Sequence, residues 1–153
     1  MLKNAIVTLS FCLLLTGCAA PETVQPLSGG ETPPMQVMLK LPEEAAAPVL
    51  GEAGRQLYDL ENYEIQVQFC HSLREALVQT TGLPPERLTV LSREKDRYET
   101  VWCSTGEGKE KIGRAVILEQ DGWFYCVSML ADAEAAHDLL PEWQKTAASL
   151  TIG

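Results

Sequence analysis

Residues 111–130 read KIGRAVILEQDGWFYCVSML, two apolar runs joined by Asp121-Gly122. Asp-Gly between such runs is the strongest short-range signal for a two-residue hairpin, because both residues tolerate positive φ. A turn there fixes the pairing: Leu118 opposite Tyr125, Ile117 opposite Cys126, Val116 opposite Val127 and Ala115 opposite Ser128. Upstream, the loop at 105–109 carries Gly106 and Gly108. Centring it on Glu107 sets Val101 opposite Gly113 and Trp102 opposite Ile112.

These pairings sort the sheet into two faces. One carries Val101, Cys103, Gly113, Ala115, Ile117, Phe124, Cys126 and Ser128, mostly small. The other carries Tyr98, Trp102, Ile112, Val116, Leu118, Tyr125, Val127 and Met129, mostly bulky. An antiparallel sheet wetted on one side alternates apolar and polar residues. This one is apolar on both sides, so both sides need a cover.

The covers are sought in two helical patterns. Ser72, with Glu75 three residues on, forms a capping box. Leu73, Ala76, Leu77 and Thr80 make an inner stripe, and Gly82 with Pro84-Pro85 ends the helix. Near the C-terminus Asp132 is a good N-cap, and Ala136, Leu139, Leu140, Trp143, Ala147 and Leu150 fall on one stripe, with Pro141 predicting a kink. Further strands are expected at 35–41, 56–60, 63–69, 87–93 and 97–104. In the segment 63–69, Tyr63, Ile65, Val67 and Phe69 face one way and Glu64, Gln66 and Gln68 the other. The fold class expected is α+β: an antiparallel sheet with helices covering both faces, a three-layer α/β/α sandwich.

The order of these elements, the segment Gly-Trp-Phe-Tyr-Cys-Val at 122–127, and an acidic loop into a helix ending Ala148-Ser149-Leu150 resemble the PsbP-type α/β/α fold. The resemblance covers roughly residues 55–152. It implies an architecture and no site residues, since no functional motif of that family is present.

The N-terminus carries a different signal. Lys3 precedes an unbroken membrane-compatible stretch at 5–15, followed by Thr16, Gly17 and Cys18. A helix of that run is roughly 16 Å long, half of a bilayer core of about 30 Å, which suits the apolar region of a secretory signal. Leu15-Thr16-Gly17-Cys18 resembles the lipobox of bacterial lipoproteins. The resemblance implies cleavage before Cys18 and lipidation of its sulfur, with two acyl chains giving a stable anchor. The expected organisation is a signal peptide at 1–17, a disordered tether at 18–34 rich in Pro and Gly, and one globular domain at 35–153. The tether spans on the order of 20–25 Å.

Composition excludes several functions. The net charge is −9, and loss of Lys3 with the leader takes it to −10. A body this acidic repels nucleic acid and anionic headgroups, so no nucleic-acid partner is expected and membrane contact is assigned to the lipid. Beyond Cys18 the mature chain holds Cys70, Cys103 and Cys126, too few for a disulfide scaffold. Cys103 and Cys126 are expected about 9–10 Å apart, beyond disulfide reach, while a bridge from Cys70 to either is left open. Cys70-His71 suggests thiol–imidazole chemistry, but neighbours on an extended segment point to opposite sides. Buried small hydrophobes are the commoner fate of such thiols. There is no CxxC or HxxxH, and no metal, cofactor or catalytic residue is assigned.

Trp102, Trp123 and Trp143 read as core aromatics. Were the C-terminal helix to cover the small-residue face, Tyr98, Trp102 and Tyr125 would line an open apolar patch with Arg114 as its polar handle, a face for a ligand or an envelope protein partner. The function expected is a lipid-anchored, extracytoplasmic, non-catalytic binding or accessory module. The alternatives are a thiol-dependent envelope enzyme and a structural protein of a surface or spore layer.

Overall fold

The structure, a computed structural model, describes residues 22–24, 33–50, 55–106 and 108–153. The strands are β1 (Glu22–Val24), β2 (Val37–Leu39), β3 (Val49–Leu50), β4 (Gln56–Asp59), β5 (Tyr63–Cys70), β6 (Thr89–Glu94), β7 (Arg97–Gly106), β8 (Lys109–Gln120), β9 (Trp123–Asp132) and β10 (Thr151–Ile152). The helices are α1 (Leu73–Thr81), after β5, and α2 (Leu140–Ser149), after β9, with a 3-10 turn at Pro85–Arg87. A seven-stranded antiparallel sheet runs β3-β4-β5-β9-β8-β7-β6, and β1-β2-β10 form a small second sheet. Within the stretch read as a tether, Glu22–Val24 pair with β2. The remainder up to residue 32 lies outside the described residues.

The β8–β9 hairpin has the pairing expected from Asp121-Gly122. Gln120 closes on Trp123, Leu118 faces Tyr125 and Ala115 faces Ser128. Both turn residues have positive φ, 53° and 78°, as a type I′ turn requires. The β7–β8 hairpin is set one residue differently from expectation. Gly106 pairs with Lys109, so Trp102 faces Gly113 and Val101 faces Arg114. A one-residue slip moves every side chain of a strand to the other face. Tyr98 and Trp102 therefore lie with Ile117, Cys126 and Ser128, while Val101 and Cys103 lie with Val116 and Val127.

Each face has its own packing. On one, Ile65, Val67, Val116, Tyr125, Val127 and Met129 are buried under Trp143, Ala147 and Leu150 of the α2 region and under Val37 and Leu39 of β2. On the other, Cys70, Ile117, Phe124 and Cys126 pack against Ala76, with Leu73, Leu77 and Tyr98 at the margin. The α1 stripe is the one the sequence predicts. Ser72 Oγ accepts from Glu75 N at 3.1 Å, Glu75 Oε2 accepts from His71 N at 3.2 Å, and Gly82 ends the helix at φ 68°.

The expected three-layer α/β/α sandwich is not what the chain forms. The sheet is seven strands wide, about 29 Å at 4.8 Å per interval. The helices have nine and ten residues, about 14 and 15 Å of axis. Neither can cover a face. The C-terminal helix is short because residues 133–139 coil in turns and Pro141 sits in the first helical turn, where its missing N–H is harmless. Pro141 starts α2; it does not kink it. The β1-β2-β10 sheet adds Val37 and Leu39 of β2 to the cover of the α2 face. The α1 face is partly polar, with buried Gln66, Gln68, Thr100 and Ser128, and so needs less apolar cover.

Trp102 is buried by lying across Gly113, where a Cβ would overlap the indole ring. Replacing Gly113 by Ala gains about 0.5–1 kcal/mol in strand backbone entropy but forces the ring out of place, an overpacking cost of about 1–3 kcal/mol. Urea denaturation of Gly113→Ala should show a net loss of stability. An unchanged midpoint would mean that the indole does not lie on Gly113.

Candidate functional site

The four residues expected to share a ligand face are divided between the two sides of the sheet. Tyr98 lies on the α1 face, its hydroxyl donating to Glu119 Oε2 at 3.4 Å and Arg93 standing 5.6 Å above its ring. Trp102 is on the same face, buried on Gly113. Arg114 and Tyr125 lie on the α2 face. Tyr125 is fully buried, with Phe69 edge-on at 5.9 Å, and burial raises its phenol pKa. No common patch results, because the β7 register turns Tyr98 and Trp102 away from the other two. Cys18 lies outside the described residues.

Of the four, Arg114 is the one placed at a cleft. A depression of about 240 Å³ opens between the α2 helix and strands β7 and β8, lined by Arg97, Glu99, Arg114, Leu140, Trp143 and Ala147 among others. Arg97 and Glu99 are two residues apart on β7, hence on one face, and their side chains pair at 2.9 Å. Arg97 also donates to the Ala147 carbonyl at 3.4 Å, tying the sheet to the last turn of α2. Arg114, opposite Val101 and Met129, is half-buried; its Nε is fully buried and has no partner. A buried guanidinium nitrogen ordinarily has an acceptor, and leaving it without one costs about 1–3 kcal/mol or more. The apolar wall comes from Leu140 and Trp143, and from Ala147 beside them.

Sequence reasoning picked Arg114 and missed Arg97. The signal for Arg97 was the alternation of Arg97, Glu99 and Val101 along β7. Joining it to Arg114 required the observed register. Trp143 was read as core, and its burial agrees.

Two larger depressions carry less chemistry. One, about 340 Å³, is ringed by Asp59, Glu61, Glu64 and Asp132 with Lys111; the other, about 460 Å³, runs along Gly82, Leu83, Cys103 and Ile112. No group of three or more His, Cys, Asp or Glu among the described residues is placed to hold a metal ion.

Two of the three described thiols are packed in the interior. Cys70 and Cys126 sit on adjacent strands of the α1 face, both about 1% exposed. Cys70 Sγ donates to Gln79 Oε1 and Cys126 Sγ to the Phe124 carbonyl, each at 3.8 Å, and the neighbouring Cys70 thiol together with burial holds the Cys126 thiol well above its ordinary pKa. The His71 ring lies 4.0 Å from Trp123, on the far side of the strand from Cys70. Cys103 is exposed on β7.

No protein-family model matches the chain, and neither does any curated protein. Among solved structures, a protein of Bacteroides thetaiotaomicron aligns at TM-score 0.52 and 11% identity, covering 76% of this chain. The chain spans 45% of that protein's length. LpqN of Mycobacterium tuberculosis, described as involved in cell envelope biogenesis, aligns at TM-score 0.48 and 11% identity, over 86% of this chain and 90% of its own. Cyanobacterial PsbP (CyanoP) of Synechocystis aligns at 0.46 and 8% identity, over 90% of this chain and 95% of its own. The first is a likeness of fold alone, and the other two are too loose to support an argument. No helix among the described residues is long and apolar enough to cross a membrane.

Alkylating the native protein should label Cys103 and leave Cys70 and Cys126 protected until the chain is unfolded. Native labelling of Cys126 as fast as Cys103 would contradict the burial. Because the Cys126 pKa is raised, its contribution to stability is complete below the ordinary thiol pKa of about 8.5 and is lost as pH rises toward the folded value. Urea titrations should therefore show stability falling above about pH 8.5, with a shallower fall in Cys126→Ala.

Proposed function

We propose that this chain is a lipid-anchored accessory protein on the outer side of a bacterial cytoplasmic membrane or elsewhere in the envelope, whose domain acts by binding. The observation that carries the reading is Leu15-Thr16-Gly17-Cys18 at the end of a short apolar run led by Lys3. A positive end, a core too short to span and small-small-Cys must coincide for this pattern. The Pro- and Gly-bearing stretch after Cys18 suits a spacer that holds the acidic domain clear of anionic headgroups.

Binding, not catalysis, is supported by the disposition of the reactive groups. The Cys126 thiol is buried with its pKa raised, the opposite of what activates a nucleophile. Among the described buried polar atoms without a partner, Arg114 Nε is one that lines a cleft, and a guanidinium holds anions.

The anchoring is tested by expressing the full chain in bacteria with labelled palmitate and measuring the intact mass. The expected product begins at Cys18, carries lipid, and partitions into detergent; Cys18→Ser should be unlabelled and keep its leader. A wild-type protein with Cys18 bare, or with residues 1–17 still attached, would overturn the reading.

A further inference from the structure

We infer that the cleft between the α2 helix and strands β7 and β8 binds a single carboxylate borne on an apolar group, with Arg114 as its principal donor. The inference rests on the binding role proposed above and names its ligand class.

Three observations converge on this ligand. The first is the orphaned donor. Arg114 Nε is buried without an acceptor, and no described side chain forms an ion pair with its guanidinium. Across the β7–β8 pairing its diagonal neighbour on the same face is a carboxylate, Glu99. Glu99 is already held by Arg97 at 2.9 Å. The second is the charge of the cleft. Arg97, Glu99 and Arg114 sum to one positive charge in a protein of net charge −9. One negative charge balances it, and a guanidinium fork matches a carboxylate with two parallel hydrogen bonds. A phosphate dianion would leave excess negative charge beside Glu99. The third is the wall. Leu140, Trp143 and Ala147 offer apolar surface beside the arginine, so the ligand should carry an aliphatic or aromatic group next to its carboxylate. The cleft, about 240 Å³, admits a small acid or one terminal residue of a peptide.

A carboxylate of this kind occurs on free organic acids and at peptide C-termini, and the probes separate the two. The mature protein in a non-ionic detergent is titrated with benzoate, with benzamide as the neutral isostere, and with a blocked tripeptide ending in Phe as acid and as amide. Binding is followed by saturation-transfer NMR, with inorganic phosphate as competitor. Both acids should bind saturably and both amides at least about tenfold more weakly, the loss expected for a charge-assisted hydrogen bond. A tighter peptide acid assigns the terminus of a peptide, and a tighter benzoate assigns a free acid. Arg114→Gln should weaken the acids by about tenfold or more. Glu99→Gln, which raises the cleft's charge and leaves Arg114 in place, should tighten them several-fold, and this gain cannot come from misfolding. The inference is overturned if acids and amides bind alike, if phosphate displaces the acids at equal concentration, or if neither substitution changes the affinity. None of these outcomes bears on whether Cys18 carries lipid, so the anchor and the cleft stand or fall separately.

Discussion

The arrangement depends on two adjacent residues held in the left-handed region, Asp121 and Gly122. They set β8 against β9, and because side chains alternate along a strand, that register decides what each face of the sheet presents. Val116, Leu118, Tyr125 and Val127 go to the side where α2 and the small sheet lie. Ala115, Ile117, Cys126 and Ser128 go to the side that receives α1. Sliding β8 by one residue would put Ala115 and Ile117 among the bulky side chains and Val116 and Leu118 beneath α1. The short α1 could then not approach the sheet closely enough to bury Ala76.

The same logic explains which parts of the fold were legible beforehand. The β8–β9 pairing follows from the turn residues alone. The alternation of β5 and the α1 boundaries follow from side chains within a few positions of one another, such as Ser72, Glu75 and Gly82. The β7–β8 register did not follow, because Gly106 and Gly108 flank the turn and either can adopt positive φ; the chain uses Gly108, at φ 79°. What settles the choice is a contact far from the turn, the stacking of Trp102 on Gly113. The extent of α2 was misjudged for a similar reason. The apolar stripe from Ala136 onward continues the helical period, yet 136–139 pack as turns, and Pro141 marks where regular helix begins. The pairing of β10 with β2 joins residues too far apart for local pattern to reveal. The cleft was half legible: Arg114 stood out, but its neighbours Arg97 and Glu99 depend on the β7 register.

How nine residues of α1 hold to a wide sheet is a question of polar contacts as well as apolar ones. Gln79, near the last turn, is the junction. Its side-chain oxygen accepts from Gln68 of β5 and more distantly from Cys70, its amide donates to Glu75 at 2.9 Å, and its backbone carbonyl accepts from Arg55 at 2.7 Å. The helix is thereby tied to β5 by hydrogen bonds in a partly dry layer, where such bonds are stronger and more specific than at the surface. Leu73 and Leu77 add apolar contact at its edge. A polar layer also explains why glutamines can occupy positions on a sheet face under a helix without that face being a wet one.

The same comparison of polar with apolar burial bears on Arg114. Arg97 has a structural reason for its place, since it joins Glu99 on its own strand to the Ala147 carbonyl of α2. Gln79 has one too. Arg114 has none: it stands on an interior strand between Val101 and Met129, half-buried, with its Nε unpartnered. Apolar replacements of buried charged groups are often neutral or stabilising, so stability alone favours an aliphatic residue at this position. A carboxylate two residues along would have paired the charge, and the one on that face is taken by Arg97. The cleft thus holds a half-buried cation with one buried nitrogen left unpartnered, in a protein of net charge −9. A group that costs stability and lies open to a depression between helix and sheet is best accounted for by what enters that depression.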